Sequence, residues 1–91
     1  MKHIEIIREA LGVLEPRGAV YGGVRENHDR IADIANAITG LNLTAHNIAM
    51  VLVAVKLSRI LQSPDHADSY VDAINYLSFA GEFATDAVGE G

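Results

Sequence analysis

Eight consecutive apolar residues, Ile48-Ala-Met-Val-Leu-Val-Ala-Val55, run straight into Lys56, and no other feature limits so strongly what this chain can fold into. Thr44 supplies an N-cap, Asn47 completes a loose capping box that lacks its usual acidic member, and Ser63-Pro64 supplies a stop. Residues 44–62 therefore predict a helix of about five turns. A helix that is apolar on every side must be enclosed by protein, from its own chain or from a second copy. It is too short, and too close to Lys56 and Arg59, to span a bilayer. Lys56 must carry its charge from the end of a buried run to water, a carboxylate or an anionic ligand, and Arg59 shares its face three residues on.

The rest of the 91 residues read as further helices of one all-α domain. Ile4, Ile7, Leu11 and Leu14 make one apolar stripe of a first helix over about 4–14, which Pro16 and Gly18 end. Residues 15–25 predict an ordered loop, with Tyr21 turned inward or onto a ligand and Gly22-Gly23 permitting a close backbone approach. A helical core covers 26–83. Its first helix runs from about Glu26 to the cap at Gly40, with Ile31, Ile34, Ala35 and Ile38 on the inward stripe and Asn27 one turn before them. The last helix runs from about Asp65 to Phe83. Tyr70, Val71, Ile74, Leu77 and Gly81 lie on one side of it, and Asp68, Asp72, Asn75, Tyr76 and Phe79 on the other. That second face mixes carboxylates, an amide and aromatics, as a ligand cleft or a polar subunit interface would. Residues 85–91 read as a frayed tail. With no strand pattern and no repeat, the expected fold is an all-α four-helix bundle built from helical hairpins.

Composition narrows the partners. A net charge of −5 opposes non-specific binding to nucleic acid or to an anionic membrane, yet leaves room for a small anion held by a few local cations. Apolar residues make up 49% of the chain and aromatics only 5%, which favours small aliphatic side chains packed between helices and across a subunit interface, hence a homo-oligomer. There is no cysteine, and charges interrupt the apolar residues of the amino end, so the chain reads as cytoplasmic rather than exported.

Asp68 and Asp72, one helical turn apart, bring two carboxylates within roughly 6 Å, where they could share a divalent ion such as Mg²⁺ or receive Lys56 and Arg59. The plainer reading, a charge favoured by the helix dipole, serves Asp68 at the start of the helix better than Asp72 farther in. His66 could join them as a metal ligand, although a turn or cap is the commoner role for a histidine so placed. Lys56 and Arg59 together offer a point charge and a planar fork, a combination suited to phosphate or carboxylate. Tyr21 and Tyr76 could stack on a base, and packing is the default for isolated tyrosines. No nucleophile, dinucleotide or P-loop pattern is present, so no catalytic residue is assigned.

Taken in order, Arg17-Gly18, Tyr21-Gly22, Asn27, Ile31-Ala32, Leu43-Thr44, Ile48-Ala49, Lys56-Leu-Ser-Arg59 and His66-Ala-Asp-Ser-Tyr-Val-Asp72 with Tyr76 resemble a family of small phage and prophage proteins of unknown function. The pattern is more distantly similar to the MazG-like all-α nucleoside-triphosphate pyrophosphohydrolases, which bind Mg²⁺ and nucleotides as dimers or tetramers. That resemblance implies a nucleotide-like ligand at Tyr21, Gly22, Asn27, Lys56, Arg59, Asp68, Asp72 and Tyr76. Those enzymes surround magnesium with four carboxylates from a Glu-Glu-x-x-Glu helix and a Glu-x-x-Asp helix. Here the corresponding stretches are Glu26-Asn-His-Asp-Arg-Ile-Ala-Asp33 and the pair Asp68 and Asp72, so the hydrolytic set is incomplete. The expectation is a phage-encoded nucleotide-binding protein without catalysis and with no required cofactor, which sequesters a host nucleotide-derived signal. The alternatives are a minimal magnesium-dependent pyrophosphohydrolase and a structural interaction module.

Overall fold

The computed structural model describes the backbone of residues 1–21 and 23–87 and the side chains of residues 1–14 and 23–86. Four helices follow one another, α1 (His3–Tyr21), α2 (Val24–Thr39), α3 (Ala45–Gln62) and α4 (Ala67–Ala87), and no strand occurs among the described residues. The protein is all-α, as its apolar periodicity predicts.

The turn between α2 and α3 is built by side chains that take over backbone hydrogen bonds. Gly40 adopts a left-handed φ of 74° and its N–H donates to the Asn36 carbonyl, closing α2 where a side chain would be strained. The Asn36 amide grips Leu43 from both sides, accepting from its N–H at 2.7 Å and donating to its carbonyl at 3.0 Å. Thr44 and Asn47 then cap α3 reciprocally, and the Asn47 amide oxygen takes the place of the acid in the usual box. Asn36→Ala would strand both Leu43 groups in a partly buried setting. It is expected to lower stability by about 2 kcal/mol, read as a lower urea midpoint at unchanged slope.

The core lies where α3 crosses α4. Ala45 and Ala49 of α3 meet Ala80 and Phe83 of α4, so the small residues let the helices approach and the Phe83 ring fills the space between them. Helix α2 rests on α3, and α1 rests mainly on α4. One buried hydrogen bond fastens that last contact, with the Asn75 amide donating to the Ala10 carbonyl at 3.0 Å.

Several sequence expectations give way here. The loop expected at 15–25 is mostly helix, because α1 continues through Pro16 and Gly18 to Tyr21. Proline removes a single ladder bond, the one to the Gly12 carbonyl, and Gly12 is exposed, so water can replace that partner. At the other end α4 extends to Ala87, past the expected start of the tail at 85, and residues 88–91 lie outside the described residues. The largest departure concerns which faces are covered. Helix α1 buries Ala10 and half-buries Ile6 and Val13, while Ile4, Ile7 and Leu11 of the expected stripe are exposed. Helix α2 buries His28 and Ala32 and leaves Ile34 and Ile38 open. On α4, Val71 is buried but Ile74, Leu77 and Gly81 are not. The central helix α3 is covered along Ala45, Ile48, Ala49 and Val53 only, with Met50, Val51, Val55 and Leu57 in the open. Thus the single chain encloses its most apolar helix on one side, and the enclosure expected from the sequence, by its own chain or by a second copy, is met by its own chain on that side.

Candidate functional site

Helices α3 and α4 are antiparallel neighbours joined by the short turn at Ser63–His66, and this turn collects the cationic and polar groups singled out by the sequence. The Tyr70 hydroxyl donates to the Pro64 carbonyl at 2.8 Å, and the His66 N–H donates to the Ser63 carbonyl at 3.1 Å, so the turn is held from both sides. Helix α3 ends with the Ser63 N–H on the Arg59 carbonyl, which fixes the Arg59 backbone one turn before the break. His66 occupies the cap position of α4, and its carbonyl accepts from the Ser69 N–H at 3.2 Å.

Lys56 and Asp72 meet across the helix pair, with Nζ to Oδ2 at 3.0 Å and both side chains largely shielded from solvent. Lys56 at the end of the apolar run thus finds the carboxylate that its position requires. One turn on, Arg59 points to a cleft of about 320 Å³ lined by Arg59, Gln62, Ser63, His66 and Ser69. Within the described residues no carboxylate pairs with Arg59, since the ion pairs there are Lys56–Asp72 and the exposed Arg25–Asp29. Ser69 is 2% exposed and lines this cleft. In the first turn of α4 the His66 and Ser69 amides are taken by the Ser63 and His66 carbonyls, which leaves the amides of Ala67 and Asp68 as the N-terminal donors among the described residues. A cation, a histidine, a buried hydroxyl and a helix N-terminus are a donor set for an anion, and phosphate oxygens suit it best.

The other candidates are placed differently. Asp68 is exposed in the first turn of α4 and outside the cleft lining, the position in which a carboxylate complements the helix dipole. Asp72 is taken by Lys56, so the two carboxylates do not stand free as a pair. No group of three or more His, Asp or Glu side chains is placed to hold a metal ion among the described residues. Asn27, expected on the inward face of α2, is exposed, because α2 is rotated so that its neighbour His28 points in. Tyr76 is half-buried and meets Phe79, three residues on along α4, edge to face at 6.3 Å, so its ring packs against its own helix. Gly22 and the Tyr21 side chain lie outside the described residues.

Two buried polar residues escape a reading of the sequence. Ser69 gives no signal there beyond lying between Asp68 and Tyr70. His28 is 3% exposed, its Nδ1–H donates to the Val24 carbonyl at 2.8 Å, and its ring stands edge-on to Phe79 and Phe83 with centroids at 5.7 and 5.2 Å. Its Nε2 has no partner among the described residues. The spacing of Val24, His28 and Ala32 at four-residue intervals was the available signal, outweighed by the bulk of Ile34 and Ile38.

A family model described as "Domain of unknown function (DUF6378)" matches residues 5–84 of the chain. The "Gene 55 protein" of Mycobacterium phage L5 is 33% identical over 61 residues, which cover 66% of this chain and 39% of that protein. The chain thus spans well under half of the length of this phage relative. No solved structure matches the chain. No helix among the described residues is long and apolar enough to cross a membrane.

Proposed function

The chain belongs to the DUF6378 family, and from that premise we propose that it is a non-catalytic binding protein for a small phosphorylated, nucleotide-like anion, working as a homo-oligomer in the cytoplasm. The observation that carries this reading is Arg59, a guanidinium without a carboxylate partner among the described residues, in a polar cleft shared with His66 and the buried Ser69. A surface arginine that served only to complement the end of α3 would need no such surroundings. The volume of about 320 Å³ lies at the lower end of the roughly 300–1,000 Å³ of small-molecule sites, enough for a phosphate with part of a nucleoside. Similarity to a phage protein supports a phage setting, in which stoichiometric capture of a host nucleotide signal needs binding and no chemistry at the site.

The alternative is a minimal pyrophosphohydrolase on a MazG-like scaffold, with Mg²⁺ held by Asp68 and Asp72. One observation favours it, the placement of both carboxylates one turn apart on α4. It requires Asp72 to leave Lys56, which would uncover a shielded ammonium. Incubation with a panel of nucleoside mono-, di- and triphosphates and cyclic dinucleotides, with and without Mg²⁺, separates the two. Recovery of an intact, protein-bound nucleotide supports sequestration, and release of pyrophosphate supports the enzyme. A third reading, a structural interaction module, is supported if no nucleotide binds at millimolar concentration. Arg59→Ala is expected to weaken binding of the recovered nucleotide by 100-fold or more while leaving helix content and thermal midpoint unchanged, because Arg59 is exposed and makes no ion pair among the described residues. Calorimetric titration and circular dichroism on the same sample read both quantities. Unchanged affinity in Arg59→Ala removes the site assignment.

A further inference from the structure

An apolar groove of about 570 Å³ lies between α1, α3 and α4, on a face of the molecule that the anion cleft does not use. Ile6, Ile7, Leu57, Ile60, Ile74 and Leu77 are its principal walls. Three of them, Ile7, Leu57 and Leu77, are more than half exposed. Leu61 stands one turn beyond Leu57 on α3 and is 86% exposed, the most open of the large apolar residues. No Asp, Glu, Lys or Arg lines the groove, although the chain carries 12 acidic and 7 basic residues.

We propose that this groove is the docking face for a second copy of the same chain, packed about a two-fold axis so that Leu61 of each copy enters the groove of the other. The inference deepens the self-association in the reading above and is independent of its ligand. Its first support is area. The surface of 6378 Å² exceeds the roughly 5,200 Å² expected of a folded monomer of 9.8 kDa by about 1,200 Å². One partner in a standard interface gives up about 800 Å². The radius of gyration, 14.2 Å against about 12 Å for a compact chain of this length, agrees with a protomer that does not close on itself. The second support is pattern. Ile4, Ile7 and Leu11 of α1 and Ile74 and Leu77 of α4 have the helical spacing of an interior stripe and are exposed, and Ile7, Ile74 and Leu77 among them line this groove. The third is shape and charge. A two-fold contact uses the same patch on both partners, so it needs a knob and a hole side by side, which Leu61 and the groove provide. With a net charge of −5 per copy, two chains repel each other, and a contact face without ionised side chains is where they can approach at least cost.

Sedimentation velocity of the full chain at micromolar concentration is the test, with Leu57→Glu, Leu61→Glu and the control Ile38→Glu on α2. The wild type and Ile38→Glu are expected to sediment as dimers. Leu57→Glu and Leu61→Glu are expected to sediment as monomers with unchanged helix content, their dimer Kd raised at least 100-fold. Leu61, held by almost nothing within its own chain, keeps the test sound if Leu57→Glu does not fold. A monomeric wild type overturns both the groove and the self-association. Leu61→Glu that stays dimeric while Ile38→Glu dissociates overturns the groove alone and moves the interface to α2. Nucleotide binding, measured separately, distinguishes either failure from that of the anion site.

Discussion

Phe83→Ala is expected to lower the stability of the fold by about 3–5 kcal/mol, because among the described residues the ring is the one large buried side chain of the cluster that joins α3 to α4, with Val24 and Phe79 only partly buried against it. Ala45, Ala49 and Ala80 surround it, and alanines have no side chain with which to move into the space that truncation would leave. The substitution also removes the edge contact with His28 at 5.2 Å and the platform beneath the Arg25 guanidinium at 5.0 Å. Against a total of roughly 5–15 kcal/mol for a native domain, such a loss takes a small chain close to unfolding at 37 °C. Urea titration followed by circular dichroism reads it. Phe83→Leu, which keeps most of the volume, should cost clearly less. A loss below about 1 kcal/mol for Phe83→Ala would place the main core elsewhere.

Lys56→Ala is expected to destabilise by about 3 kcal/mol or more, since it leaves Asp72 ionised and shielded without its partner at 3.0 Å. Asp72→Ala should cost a similar amount from the other side. Replacing both, Lys56→Met with Asp72→Leu, is expected to recover most of the loss, because the penalty belongs to the stranded charge rather than to the missing attraction. The double-mutant cycle in urea therefore carries the argument, with a coupling of more than 1 kcal/mol expected. Additive single losses would show that the two residues do not act as a pair. The contrast with Arg59 is the functional content. Lys56 is committed to holding α3 against α4, whereas Arg59, one turn nearer the end of the helix, has its guanidinium available to a ligand.

Much of the local structure was legible because local rules decide it. The cap at Thr44, the stop at Ser63, the closure at Gly40 and the pairing of Lys56 with a helix-four carboxylate each follow from a residue and its immediate neighbours, and each is present. The site was legible in part. Arg59 lines a cleft as an anion site would require, with His66 beside it where the sequence offered only a metal ligand or a cap, whereas Asn27 faces solvent and Tyr76 packs against Phe79. Ser69 and His28 were invisible because a hydroxyl or an imidazole becomes a buried polar group only through what packs over it.

What the sequence determined by itself is the set of helices, their caps and the total of apolar surface that must be hidden. Each depends on interactions within about four residues or on composition, so one chain read in isolation suffices. What only the tertiary structure decided is which stripe of each helix its own chain covers. A helix can turn by a fraction of a residue step about its axis without breaking a single internal hydrogen bond, and packing chooses among those rotations by the fit of small against large side chains. Here the choice went to Ala10, Ala32, Ala45, Ala49 and Ala80, whose small size brings helices close. The larger Ile7, Ile38, Leu61 and Leu77, which periodicity or bulk would have put inside, remain on the surface. Close approach of backbones around small residues outweighed the burial of the bulkiest side chains, and the apolar surface that this left uncovered is what a second chain can hide.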